Sequence, residues 1–536
     1  MRWLIAFFFL AFASVIFAAV WRHGFDWFFS RKALRFHAGV ALALISLVVL
    51  FYSEESWRGK RAWAALQREA SARGESLEFS SLTIPAIPDD QNFAKAPGVA
   101  GLLENTNSQP FYHGTADKWR PTGWVSQQFT DLVWWQKFFR NRAAKSVMAK
   151  HGTNGLTFPA TPEPQTPAAD VLFALGKFET NLAVLRAASQ RPELRLPIDC
   201  NKGFFLWSEL NNSPLQSLNE AAHLLSLRAS AELQQGQSEA ALQDVLLALR
   251  LGELVSKEPS YFTYRRPWDI AQFYLQPIWE GLAAHRWNDA QLAALQEKLN
   301  GVDMSAEYRH CLRGETLAIM NLFDQWLAYI ADRPTEFARR VTPLSPKEDD
   351  GFVDWVARMV IKFYPVGWLY QDKVWIYRFY QRHTDPLITV ALRNQPQQKW
   401  NAGNPVFADP IMAMFAPLAL RGDFQGTSVG FLTLRTFVEQ AAAACALERF
   451  RLAQGKYPET LETLVPDYLQ QIPADYFVPT AAQLKYLRTP DGGFKLYSVG
   501  FGGRNDGGKP NPSINPQQNL FWPLSEDVVW IQPGKR

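Results

Sequence analysis

Two stretches, ALERFRLAQGKYPETLETLVPDYLQQIPADYF (residues 446–477) and LKYLRTPDGGFKLYSVGFGGRNDGG (residues 484–508), decide the fold of the C-terminal end. A helix runs up to Gly455, the residue type that accepts a left-handed helix end without a Cβ clash. Tyr457-Pro458 opens a second short helix, because proline fits a first helical turn. Ile472-Pro473-Ala474-Asp475 reads as a turn. Strand-like runs around Tyr486 and Leu496 then lead into Gly502-Gly503-Arg504-Asn505-Asp506-Gly507-Gly508. This order predicts a small α+β unit over 431–536. Upstream, Leu434, Val438, Ala441, Cys445 and Leu452 recur at helical spacing as one apolar stripe. Glu448 lies on that stripe, and a buried carboxylate needs a partner, either backbone or Tyr457.

The glycine-rich loop has two readings. Asn-Asp-Gly-Gly is a common turn. Irregular loops rich in glycine and oxygen-bearing side chains also bind calcium, which takes six to eight oxygens. Asn505, Asp506 and the later Asp527 are the candidate ligands.

Working toward the N-terminus, 401–430 is rich in Gly and Pro and reads as a linker, and 168–400 as an α-helical domain. Within it, 170–190 carries apolar residues at helical spacing, and 215–235 with 239–257 forms a helical hairpin around Gly236. Gly236, Ala241, Val245 and Ala248 fall at the spacing of tetratricopeptide-type hairpins, but no repeat period surrounds them. Helices are also expected over 268–286, with a kink at Pro277, over 305–332, and over 352–382, broken near Pro365. Asn288 with Gln291 forms a capping box. Residues 158–167, FPATPEPQTP, read as a Pro-rich linker, and 53–157 as a mixed membrane-proximal region opening with a helix over 57–74. Asp89-Asp90, following Pro88, is ordinary loop chemistry.

The first 52 residues read as a membrane anchor. Residues 3–20 form an uncharged apolar run, and 38–52 a second, shorter one. The loop between them holds Arg22, Arg31, Lys32 and Arg35 beside Trp21, Trp27, Phe28 and Phe29, which suit the headgroup level. The rival to a retained two-helix hairpin is a cleaved signal peptide followed by one anchor. The first run lacks a clear small-x-small cleavage site, which favours the hairpin. With its loop in the cytoplasm the body lies outside, though Arg58, Lys60 and Arg61 after the second run pull the other way. The chain's 536 residues carry a near-balanced charge of +4, with basic residues scattered, so no nucleic-acid-binding face is expected. Its three cysteines are widely spaced, with neither disulfide-framework nor metal-ligand spacing.

No catalytic motif is present: no Gly-x-Ser-x-Gly elbow, P-loop, His-Glu-x-x-His or dinucleotide fingerprint. Adjacent His310 and Cys311 on one helix point about 100° apart, a poor dyad. His383-Thr384-Asp385-Pro386 reads as a polar helix exit.

The C-terminal order resembles the globular domain of major pseudopilins of type II secretion systems. Tyr457-Pro458, Ile472-Pro473 with Asp475, Tyr486, and Leu496-Tyr497-Ser498-Val499-Gly500 match in sequence. The resemblance implies a calcium loop using Asp506 and Asp527. It also has departures. Asp475 precedes Tyr476 rather than Pro, and Phe501-Gly502-Gly503 replaces an expected Asp ligand. The helix before the unit carries Arg435, Glu439, Glu448, Arg449 and Arg451, too polar for a membrane-spanning pilin stem. The layout is similar to uncharacterised bacterial membrane-anchored proteins. The expectation is a mainly α, non-enzymatic, membrane-anchored scaffold of the inner membrane, its bulk extracytoplasmic, with a protein partner and no required cofactor. The alternatives are an envelope hydrolase with its site in the helical domain, or an accessory component of a type II secretion-like system.

Overall fold

The computed structural model describes residues 14–15, 31–82, 87–103, 127–143, 158–196, 215–257, 261–332, 365–383, 424–478, 482–509 and 527–534. These are mainly helical, with one three-stranded antiparallel sheet. The chain divides into two compact units, one of residues 1–76 and 326–375, the other of 77–325 and 376–536.

In the first unit, α1 (Arg31–Ala72) is a single helix of 42 residues. It joins the expected 38–52 span to the expected 57–74 helix, because Ser53-Glu54-Glu55-Ser56 contains no helix breaker. At 1.5 Å per residue it is about 63 Å long. It ends as the sequence indicated: Gly74 takes φ +73°, and the Gly74 and Glu75 amides bond back to the Ser71 and Ala70 carbonyls. Among the described residues α1 alone is long and apolar enough to cross a membrane. The 3–20 run, and with it the hairpin, lies outside the described residues apart from Ser14 and Val15.

The later α11 (Val366–His383), whose first half belongs to this unit, packs on α1. Two glycines permit the approach. A Cβ on Gly59 would sit 2.1 Å from the Gly367 carbonyl oxygen, and one on Gly367 would sit 1.8 Å from that of Glu55. The buried Glu55 carboxylate accepts from Trp368 Nε1 (2.8 Å), Gln371 Nε2 (3.0 Å) and Arg58 (2.9 Å). The expected helix segment before Pro365 lies outside the described residues.

The second unit begins with the short α2 (Val99–Leu103) and α3 (Leu132–Ala143). Asp89 and Asp90 are exposed in the turn before α2, consistent with loop chemistry. Residues 158–167 do not hang free. Phe158 is buried, Thr161 bonds Asp170, and Arg140 bonds the Thr161 carbonyl. Thr166 and Pro167 then start α4 (Pro167–Leu175), with the Thr166 hydroxyl accepting from the Ala169 amide. The helix expected over 170–190 is interrupted by a 3-10 turn over Gly176–Phe178 before α5 (Glu179–Ala188).

Three helices, α6 (Leu215–Gln234), α7 (Ser238–Ser256) and α8 (Tyr261–Ala283), pack against one another. Gly236 supplies the hairpin bend at φ +77°, and Ala241, Val245 and Ala248 are buried in the contact. α8 continues through Pro277. Trp287 folds back against Gly281, where an added Cβ would lie 2.0 Å from the indole nitrogen. The Asn288–Gln291 capping box then opens α9 (Asp289–Asn300), followed by α10 (Met304–Asp332).

α12 (Phe424–Gln454) starts inside the segment read as a 401–430 linker. Its alanine run, 441–444, is buried, and the helix packs on α8, α9 and the sheet. The strands β1 (Lys485–Arg488), β2 (Phe494–Ser498) and β3 (Val528–Gln532) pair antiparallel in that order. Phe494, Leu496, Val528 and Trp530 share one face and are buried. The outer edge of β3 is closed by the helical region. Gln127 Nε2 donates to the Val529 carbonyl and Gln127 Oε1 accepts from the Ile531 amide, both at 2.5 Å. Trp279 Nε1 donates to the Ile531 carbonyl at 2.9 Å. An edge that would otherwise template a foreign strand is thereby used within the chain.

Candidate functional site

A cleft of about 750 Å³ opens between the end of α7, the α9–α10 turn and Arg195. It is lined by side chains of both charge signs. Its cations are largely engaged by the protein. Arg250 bonds the Ser189 and Arg191 carbonyls and Glu253, while Lys257 and Arg195 share Glu193. Glu307 sits in the first turn of α10 and accepts from Ser256 Oγ at 2.8 Å. Burial, with Glu253 and Asp303 nearby, pushes its carboxyl up to about 7.

A titratable acid, a serine and His310 in one cleft invite a catalytic test. Nucleophilic catalysis needs a base within hydrogen-bond reach of the hydroxyl and a third group orienting that base. Ser256 Oγ lies 2.9 Å from the Glu253 carbonyl and 2.8 Å from Glu307, whereas His310 Nε2 lies 3.3 Å from the Lys257 carbonyl. Among the described residues no hydrogen bond joins His310 to Ser256 or Glu307. His310 is exposed while Cys311 is buried, so the adjacent pair diverges. Among the described residues the cleft therefore presents no hydrogen-bonded nucleophile–base pair. Sequence reasoning missed it because Ser256 and Glu307 are 51 residues apart and belong to no spacing motif.

Two buried ionic clusters hold the framework. Between α6 and α7, the fully buried Asp244 takes Arg228 Nε (2.5 Å) and Nη2 (2.6 Å), with Arg186 at 3.2 Å. Nearby Glu232 is pushed up to about 8, first by burial and then by Asp244. At the α8 end, Glu448 of α12 accepts from Tyr457 (2.6 Å), Arg451 (2.7 and 2.8 Å) and His285 Nδ1 (2.7 Å). Burial opposes its charge, but these bonds hold its carboxyl down to about 2. The Tyr457 partner expected from sequence is present. His285, with φ +52°, closes α8 in the position glycine usually takes.

Of the sequence-predicted metal ligands, Asp527 is buried and Asn505 and Asp506 are exposed. Asp527 Oδ2 accepts from the Gly508 amide at 2.8 Å and Oδ1 from the Asp506 amide at 3.4 Å. Asn505 Oδ1 accepts from the Gly507 amide at 3.1 Å. The carboxylate Asp475, also matched in the sequence resemblance, accepts from Ser498 Oγ, the Val499 amide and the Phe477 amide, fixing the turn to β2. Among the described residues no group of three His, Cys, Asp or Glu side chains is arranged to hold a metal.

No family model, curated protein or solved structure matches the chain.

Proposed function

We propose that this protein is a membrane-anchored scaffold of the bacterial inner membrane, with its helical body and pseudopilin-like C-terminal unit on the extracytoplasmic side, where they engage a protein partner. The observation that carries this reading is the apolar exposure of α1 over residues 42–50, on every side of the helix. Leu42, Ile45, Leu47, Val48, Val49 and Leu50 are all exposed, with Leu50 at 67%. At about 25 cal/mol per Å² of apolar area, such an exposed apolar cylinder is costly in water and favourable in lipid. Trp57 and Arg61, five and nine positions beyond Tyr52 on the same helix, suit the headgroup boundary. Crosslinking in intact membranes followed by pull-down tests the scaffold role. A specific partner is expected, and recovery of the chain alone across crosslinker lengths counts against it.

A second reading, an envelope hydrolase, is favoured by the raised Glu307 carboxyl in a cleft that also holds Ser256 and His310. Its test is turnover of ester and peptide substrates by wild type but not by Glu307→Gln.

A further inference from the structure

We propose that the 502–508 loop is closed without a metal ion, as a cradle of backbone amides around the chain's own Asp527, with Lys495 occupying the cation's place at the loop carbonyl. The pseudopilin resemblance implies calcium here, so the donor set has to be tested against that ion. Calcium is held when carboxylate and carbonyl oxygens converge and point inward together. This loop has the reverse polarity. Gly507 and Gly508 take φ +73° and +66°, and the Asp506 and Gly508 amides turn onto a single carboxylate. Successive amides aimed this way form an anion-binding concavity. Both Asp527 oxygens are already accepting, and Asn505 Oδ1 is turned to the Gly507 amide.

The carbonyl side is likewise occupied. Lys495 Nζ, from β2, donates to the Gly508 carbonyl at 3.2 Å. Its stem also lies against the space a Cβ on Gly508 would fill, at 3.5 Å, with the Tyr497 ring at 3.1 Å. Gly508 is therefore fixed by its amide, its carbonyl and its missing side chain together. Asp506, carried over as a ligand, contributes its amide while its side chain stays exposed. The function of the latch follows from its position: it ties the start of β3 to the turn leaving β2, across the segment that separates them in sequence.

The test uses the purified full chain in detergent, so its outcome does not depend on which side of the membrane the body occupies. Thermal unfolding and amide exchange are measured with millimolar calcium and with chelator. The expected result is the same melting temperature in both and the same slow exchange at Gly508. Asp527→Asn and Lys495→Met should each speed exchange at Gly508 by about tenfold, the loss of one charge-assisted hydrogen bond, with or without calcium. Calcium-dependent slowing in the wild type that disappears in Asp527→Asn overturns the proposal. So does unchanged Gly508 exchange in both variants. If Asp527→Asn fails to fold, Lys495→Met and the wild-type calcium comparison still decide.

Discussion

Replacing Glu448 by Gln should cost the second unit about 3 kcal/mol near neutral pH. The magnitude comes from the carboxyl's displacement from an ordinary 4.5 to about 2, at 1.36 kcal/mol per pH unit. Glu448 is 1% exposed, so solvent screening takes little from that figure. Gln keeps the shape but turns an amide NH2 toward Arg451 or Tyr457, leaving the half-buried Arg451 without its counter-ion. The sign fixes the pH window. The folded value is depressed, so the stabilisation is fully present above the unfolded value near 4.5 and is lost as pH falls from there toward 2. The assay is denaturant unfolding of wild type and variant, followed by amide exchange in α12, at pH 7, 5 and 3. The gap between the two proteins should be nearly the same at pH 7 and pH 5 and clearly smaller at pH 3. A gap under 1 kcal/mol at pH 7, or one of constant size down to pH 3, would refute the reasoning.

Other outcomes follow from the same geometry. His285→Gly removes a bond to an ionised carboxylate (about 1.5–3 kcal/mol) but relieves a left-handed backbone (about 1–2 kcal/mol), so unfolding should place it much closer to wild type than Glu448→Gln. Asp244→Asn leaves Arg228 only its Glu179 and Glu232 partners in place of the buried aspartate and should cost about 3 kcal/mol by chemical denaturation. Gly367→Ala forces its Cβ into the Glu55 carbonyl and should destabilise the first unit by about 1–3 kcal/mol, read as faster amide exchange around Glu55. The raised Glu307 carboxyl binds its proton more tightly in the fold than in the unfolded chain. Its contribution to stability therefore falls as pH rises from about 4.5 through 7, and Glu307→Gln should flatten that slope in pH-dependent melts.

Local chemistry in this sequence was readable; long-range chemistry was not. Gly74 and Gly455 end helices, Asn288 and Gln291 form the capping box, and Glu448 finds Tyr457, because each feature is decided within about ten residues. The continuity of α1 was harder to read, because hydropathy changes at Tyr52 while the backbone meets no breaker there. The 158–167 segment has a linker's composition, yet Arg140 and Asp170 bind it through contacts that composition does not encode. The closure of β3 by Gln127, some 400 residues earlier, leaves no periodic signature at all. The cleft was equally hidden, since its acid and its serine come from different helices. Residues 484–508 show the limit most clearly. Their turn chemistry was visible, but the pairing of the Asp506 and Gly508 amides depends on Asp527 arriving from beyond the loop.

In the proposed topology α1 crosses the membrane and leaves the C-terminal unit outside the cytoplasm. The basic residues flanking it, Arg31, Lys32 and Arg35 on one side and Arg58, Lys60 and Arg61 on the other, compete for the cytoplasmic face. Reporter fusions after Arg536 decide between them directly. The proposed topology gives activity from an enzyme that matures only outside the cytoplasm and none from a reporter that works only inside it. The opposite pattern, cytoplasmic reporter active and exported reporter silent, contradicts it.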